Sequence, residues 1–421
     1  MRWLLGGCVV ILALCWTVPA GAQGEPGGLI PETTAARHGL TRAWFAQAEV
    51  NSSVSKLRTL TFYAGTIFVT SDHALVQAFD AETGRILWKE TVGNVKYPTS
   101  GVGANGTVAA VTNGTSLYLY ETATGKFLDK RPIGGVPSAT PGVGPDDVYL
   151  PLSRELVEVD KIKLETHLPP KLYSAIGKTF NPPLIGYESA MWATESGRVY
   201  AVSLEGGGQR FQAEAFGGVT APMTYRAPYV FVGSLGGYVY ALHENNGRTL
   251  WRFTASDPIR LPPVVIQDAV YVVPESGGIF RVNAGSGAEE WHTPSIRHFL
   301  AASKTRVYGT DEADRLTVLD AATGARIDVL PISGYSLKLI NTTNDRIYLA
   351  SENGLVQCLH EAELKEPLNY APPKPAKAPE KGAGKPKKGE GDAPPADAGK
   401  ADKVPLPVPA KPAAPVEDPF K

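Results

Sequence analysis

In this 421-residue sequence the side chains best able to ligate a metal or act as nucleophile and base are seven histidines and three cysteines. The histidines are His38, His73, His167, His243, His292, His298 and His360, and the cysteines Cys8, Cys15 and Cys358. No His-Glu-x-x-His and no Cys-x-x-Cys occurs among them, so neither a metal site nor a redox pair has a local frame. The run from Gly101 to Gly106 fits the dinucleotide pattern Gly-x-Gly-x-x-Gly. It lies between alternating strand-like segments, however, and no helix follows to hold a pyrophosphate at its N-terminus. Asp311-Glu312-Ala313-Asp314 spells a helicase box but has no nucleotide loop beside it and reads as a hairpin turn. Asn51, Asn105, Asn113 and Asn341 begin glycosylation sequons and read as ordinary turn residues. No catalytic, cofactor-binding or metal-ligating residue is expected, and no cofactor.

The elements that would position any site come from a repeat of about 40 residues. Its clearest copy is Thr66-Ile67-Phe68-Val69, a turn, Val76 to Asp80, then Thr83-Gly84-Arg85-Ile86-Leu87-Trp88. A second runs from Tyr229-Val230-Phe231-Val232 through His243 to Asn246-Gly247 and Trp251, and a third from Val270 through Asn283 to Ser286-Gly287 and Trp291. Weaker copies occupy residues 108–128, 148–160, 191–211, 307–327 and 347–360, which makes eight.

Apolar residues alternate along these segments with the period of two that sends one side of a strand into a core. In the Asp-x-x-Thr-Gly stretch an Asp such as Asp80 can accept from turn N–H groups, and the glycine can take the positive φ that closes a hairpin. Gly84, Gly125, Gly247, Gly287 and Gly324 therefore read as structural turn residues, and His243 and His360 as turn caps at the Asp position. Pro98, Pro141, Pro183, Pro222 and Pro263 each stand at the entry of a further strand, so the unit has four strands. Eight such antiparallel units predict an all-β, eight-bladed propeller. Trp44, Trp88, Trp251 and Trp291 share one repeat position and are expected to pack between blades. The last unit lacks its outer strand, while Arg42-Ala43-Trp44-Phe45 precedes the first; residues near 41–50 are expected to close the ring as that strand.

The ends read differently. Arg2, an apolar run from Leu4 to Val18 and Ala20-Gly21-Ala22 predict an export signal over residues 1–22, followed by a lead-in over 23–40 and the propeller over 41–365. Cys8 comes too early and Cys15 follows Leu14, so lipid attachment is not expected, and only Cys358 remains after cleavage. The propeller must hold without a disulfide. Residues 366–421 are Pro, Ala, Lys and Gly with scattered acids, a composition that predicts a disordered tail. Forty-one Lys and Arg against 42 Asp and Glu leave a charge of −1, which gives no cationic excess for nucleic acid.

The repeat Val-Tyr-Val, Gly, Val-x-Ala-Leu-Asp-x-x-Thr-Gly-x-x-Leu-Trp resembles that of the PQQ-like, or quinoprotein-type, β-propellers over roughly residues 41–362. Two branches of that superfamily are relevant: quinone-dependent periplasmic dehydrogenases, and BamB-like outer-membrane assembly proteins, which have eight such blades and bind no quinone. The size and simplicity of this chain are similar to the second. The resemblance implies a non-enzymatic, monomeric scaffold of the bacterial periplasm or outer-membrane periphery, or an extracellular one, that binds an envelope protein. The alternatives are a PQQ-dependent oxidoreductase and a glycan-binding surface module. In this architecture the inter-blade segments and the first hairpin turns of the units emerge on one face. The former carry mostly cations and the latter mostly acids such as Asp72, Glu195, Glu275, Glu312 and Glu352. A basic funnel within an acidic rim follows as the expected partner-binding surface, with Lys96, Lys178, Arg260, Arg297, His298 and Lys338 as its residues.

Overall fold

The computed structural model describes residues 28–163, 169–332 and 334–370. Eight four-stranded antiparallel sheets follow one another along residues 57–91, 103–132, 142–174, 184–214, 224–254, 264–293, 296–331 and 337–361. These are blades 1 to 8, with strands A to D in chain order. The first strands of neighbouring blades touch one another, so strand A lines the axis and strand D the rim. Blade 8 has three strands of its own; its rim strand is Leu40–Gln47, which pairs antiparallel with Leu355–Glu361. The ring is thus closed by the N-terminal strand, which covers an otherwise open sheet edge.

Packing between blades explains why the B and C strands are apolar on both faces. Ile67, Val69 and Phe79 of blade 1 form one cluster with Tyr348, Val356 and Cys358 of blade 8, and similar clusters join the other blades. Each large side chain buried this way is worth about 1.5–3 kcal/mol, so the ring is held by its faces and needs no covalent tie.

The Asp-x-x-Thr-Gly turn also forms for local reasons. Asp80 Oδ1 accepts from Thr83 N–H at 2.8 Å and Thr83 Oγ1 at 2.7 Å, and Asp320 does the same with Thr323 at 2.8 Å and 2.8 Å. Directly after the turn, six blades carry the same irregularity in C–D pairing: Ala78 faces Trp88 but Phe79 faces Ile86, so Leu87 is the extra residue. The closing strand repeats it, with Cys358 opposite Trp44, Leu359 opposite Arg42, and Ala43 extra. Such a bulge bends the strand and re-aims the next side chain. Here it turns the indole toward the following blade.

The short helix Glu32–Arg37 leads into the closing strand, and Arg42 binds Ile30 O at 2.9 Å and Glu32 at 2.7 Å. At the other end the boundary expected at 365 is too early. Leu368 N–H donates to Asp345 at 2.9 Å and Tyr370 Oη to Ala302 O at 2.8 Å, so residues 366–370 lie against the propeller. Tyr370 is an aromatic that reaches the blade 6–7 cluster, a feature the Pro/Ala/Lys composition around it conceals. The expected export signal and the remainder of the tail lie outside the described residues. Among the described residues no helix is long and apolar enough to cross a membrane.

Candidate functional site

Two kinds of turn alternate around the ring. The Thr-Gly turns lie on one face, and the B–C hairpins and inter-blade loops on the other, where hairpin and loop are joined through their backbones. Asp72 N donates to Lys56 O, Glu195 N to Lys178 O and Glu275 N to Pro258 O, at 3.1, 2.9 and 2.9 Å.

On the first face the recurrent tryptophans act between blades. Trp44, Trp88, Trp251 and Trp291 each donate their indole N–H to a carbonyl in the next blade's turn, at Ala81, Thr122, Ala284 and Ala321, over 2.8–3.0 Å. Their rings lie flat on Gly84, Gly125, Gly287 and Gly324. At Gly84 a Cβ would come within 2.4 Å of the Trp44 ring, and φ is 70°, so glycine is required twice over. Gly247 receives Phe211 instead, and Tyr173 donates to Gly207 O at 2.6 Å at the joint between blades 3 and 4. Asp129 and Asp328 stand at the remaining rim positions, the first paired with Arg131 at 2.8 Å and the second with His38 at 2.7 Å.

The loop face carries the sequence-predicted cations, but they do not form one site. Arg260, Arg297 and His298 line a small cleft together with Glu275. Arg260 binds Glu275 at 3.1 Å, Arg297 binds Glu312 at 2.7 Å and Lys338 binds Asp314 at 2.9 Å. Lys56 and Arg58 likewise reach Glu352 at 2.7 Å and Asp72 at 3.0 Å. The inner cations thus bond to the outer acids, which turns a radial separation of sign into adjacent pairs. Desolvation in the cleft, helped by the Lys338 charge, holds His298 below the ordinary histidine pKa. Lys96 and Lys178 lie in the other half of the face and are exposed.

That other half has a feature the repeat pattern did not announce. Five successive loops expose large apolar side chains: Val54 before blade 1, Val95 and Tyr97 before blade 2, Val136 before blade 3, Ile176 and Phe180 before blade 4, and Phe216 before blade 5. The loops before blades 6, 7 and 8 expose none among the described residues. An apolar crescent therefore covers one side of the face, and Phe216, 69 % exposed, ends it. Large exposed apolar patches on soluble proteins mark contact surfaces.

The same five loops, and no others among the described residues, have a backbone N–H bonded to a side chain of the blade that follows. Gln77 Oε1 accepts from Glu49 N–H at 3.0 Å, Asn113 Oδ1 from Asn94 N–H at 2.9 Å and Glu158 Oε2 from Gly134 N–H at 2.8 Å. Tyr200 Oη accepts from Ile176 N–H at 2.8 Å, and Tyr240 Oη from Phe216 N–H at 3.0 Å. Gln77, Glu158, Tyr200 and Tyr240 are each the third residue of their C strand. A loop whose backbone is tied from below can hold an apolar side chain toward solvent without collapsing over it. The expected polar funnel looked at charge; an apolar residue just after the buried Ala175 and Ala215 was the available signal for this surface.

Among the described residues no three His, Cys, Asp or Glu side chains converge in a way that could hold a metal ion. The rejected motifs are turns: Asp311 Oδ1 accepts from Ala313 N–H and Arg315 N–H at 3.0 and 2.9 Å, and Asn105 Oδ1 from Thr107 and Val108 N–H at 2.8 and 2.7 Å.

Comparison with known proteins agrees with this geometry. The sequence profile of a family described as outer membrane protein assembly factor BamB matches residues 37–160 and 195–336. A curated protein of that description from Burkholderia pseudomallei is 27% identical over 166 residues, 35% of this chain and 44% of the relative. The match thus spans less than half of the relative's length. The crystal structure of BamB from Moraxella catarrhalis superposes with a TM-score of 0.61 at 16% identity, over 76% of this chain and 99% of that one. The computationally designed protein Ika8 superposes with a TM-score of 0.58 at 14% identity, over 75% and 98%. At such identities these two structures speak for the fold alone.

Proposed function

The chain belongs to the outer membrane protein assembly factor BamB family, and on that premise we propose that it is an exported, non-enzymatic scaffold that docks an envelope protein during outer-membrane protein assembly. The observation that carries the reading is the coincidence of the apolar crescent with the pinned loops: the five loops that expose apolar side chains are the five tied down from below. Chance exposure scatters singly over a surface. Among the loops of this face the exposed large apolar side chains are gathered in five adjoining ones, on backbone held in place, which is how a preorganised contact surface keeps the ordering cost of association low.

The test is genetic and direct. Cells lacking the protein should show less folded β-barrel protein in the outer membrane, and the wild-type chain should restore it. A chain with Val136→Asp and Phe216→Asp should not, although both side chains are exposed and its thermal stability should match wild type. Full restoration by that variant would remove the docking face from the proposal. Incubation with pyrroloquinoline quinone and calcium, followed by an assay with a dye acceptor, should give no turnover; sustained turnover would replace the scaffold reading with the oxidoreductase one.

A further inference from the structure

Between the loops that precede blades 2 and 3 the crescent deepens into a cleft of about 580 Å³. Tyr97 and Val136, 55% and 58% exposed, stand among its lining with Pro98 and Pro137, and the rest of the walls are small serine and threonine side chains with Gly114 and Ala139. The cleft is preformed. Asn113 Nδ2 donates to Asn94 O, Tyr97 O and Thr99 Oγ1 at 3.1, 3.2 and 2.9 Å, which fixes one wall. Gly134 is held by Glu158 behind the other, and the backbone bridges Thr99 to Asn113 and Pro137 to Leu152 hold both walls to the hairpins.

Charge around the cleft is also distinctive. On the opposite half of the face Arg260, Arg297 and Lys338 are neutralised by Glu275, Glu312 and Asp314. Lys96 is exposed next to Tyr97, and Lys178 is exposed one residue before Thr179, whose carbonyl accepts from the cleft residue Ser138 Oγ at 2.6 Å. Neither ammonium makes an ion pair among the described residues, where the face's other ion pairs leave them out. Two ammonium groups outside any ion pair among the described residues thus accompany an apolar cleft, although the Glu195 carboxylate accepts from the Lys178 backbone N–H at 3.4 Å.

Resting on the docking-face reading above, we propose that this cleft is the anchor site for an extended polypeptide segment of the partner, one that inserts an aromatic or large aliphatic side chain and carries carboxylates on either side to meet Lys96 and Lys178. Apolar lining selects the inserted side chain, and the two ammonium groups select the flanks and steer approach. A neutral glycan would leave both cations unused, so polypeptide is the occupant the surface favours.

The probes are four: a fluorescent peptide with Phe-Leu-Phe between Asp-Glu flanks, its Lys-flanked counterpart, an Asp-Glu-flanked peptide with Ser for the apolar residues, and a neutral oligoglucan. Anisotropy should show saturable binding of the first, at least about tenfold tighter than any other and weakening with salt. Lys96→Glu with Lys178→Glu should reduce that binding about tenfold or more, and so should Thr115→Trp, which fills the cleft from the hairpin, with thermal melts reporting that each variant folds. Equal binding of the Lys-flanked peptide, preference for the Ser peptide or the glucan, no binding of any probe, or binding that survives the filled cleft would each overturn the proposal. If it is overturned while Val136→Asp with Phe216→Asp still fails to restore outer-membrane barrels, the docking face stands without this partner chemistry. If that variant restores them, the face itself falls.

Discussion

The indole N–H of Trp44 donates to the carbonyl of Ala81 at 2.9 Å, from the strand that completes blade 8 to the turn that closes the C–D hairpin of blade 1. Trp88 makes the same contact one blade further on, to Thr122 at 2.8 Å. The N-terminal strand therefore imitates a rim strand in full, bulge and tryptophan included, and the closure is an ordinary joint. Its strength can be measured in the way any other joint's would be.

Trp44→Ala should cost about 3–5 kcal/mol in urea denaturation, the range for removing a large buried aromatic. Gly84→Ala should also destabilise, because a Cβ there meets the Trp44 ring at 2.4 Å and φ is 70°. With Trp44 already removed the clash is gone and only the backbone strain remains. The double variant should therefore be more stable than the sum of the singles implies, by about 0.5–3 kcal/mol. Strict additivity would show that the ring and the turn do not bear on each other.

The fold was legible because every blade reuses one set of local solutions, so that eight imperfect copies correct one another. Trp44 stood out ahead of the first unit, and its match to Trp88 was enough to predict the closure. Where the solution changes chemistry the pattern goes silent. Tyr173 at one joint and His38 with Asp328 at another share no residue type with the tryptophan joints. The functional face was harder for a related reason. Charge can be counted along a sequence, but whether Arg297 is free or bound to Glu312 depends on how the B–C hairpin of its own blade folds back beside strand A. Exposure of Phe216 depends on Tyr240, whose hydroxyl is aimed by the sheet and not by its neighbours in sequence.

Tyr240→Phe should therefore separate presentation from contact. It removes only the oxygen that accepts from Phe216 N–H, at a cost of about 1–3 kcal/mol for the orphaned group. Hydrogen exchange should show the Phe216 amide losing protection while the central strands keep theirs, and partner binding should fall although no exposed side chain has changed. Retained protection at Phe216 would mean that the loop is held by other contacts.

The ion pairs of the opposite half should behave as surface pairs. Arg297→Ala and Glu312→Ala leave groups in contact with water, so the coupling between them in a double-mutant cycle should be about 0.2–1 kcal/mol and should shrink as salt is added. Restoration of outer-membrane barrels should be unaffected by either. A defect as large as that of Val136→Asp with Phe216→Asp would move the docking surface to this side of the ring.

Glu158 gives the loop face a dependence on pH whose sign is fixed by its surroundings. Burial raises its pKa above the ordinary carboxyl value, the Gly134 N–H opposes this, and the charge of Asp160 adds to it. The folded state thus holds the proton to higher pH than the unfolded chain does. Stability contributed by the neutral form is fully present below the ordinary value and is lost as pH rises through the folded one. Glu158→Gln keeps an oxygen for Gly134 and cannot ionise. Its stability should match wild type near about pH 4 and exceed it by about pH 8, with the gap opening as pH rises. Asp345, which is also raised, and Asp72 and Asp311, which are lowered, are present in both proteins and cancel in the difference, whereas Asp160 acts on Glu158 and titrates as part of the same pair. Urea melts of the pair across that range measure the gap directly. A gap that does not change with pH would show that Glu158 titrates alike in the folded and unfolded chain, so that its burial behind the loop bearing Val136 does not perturb it.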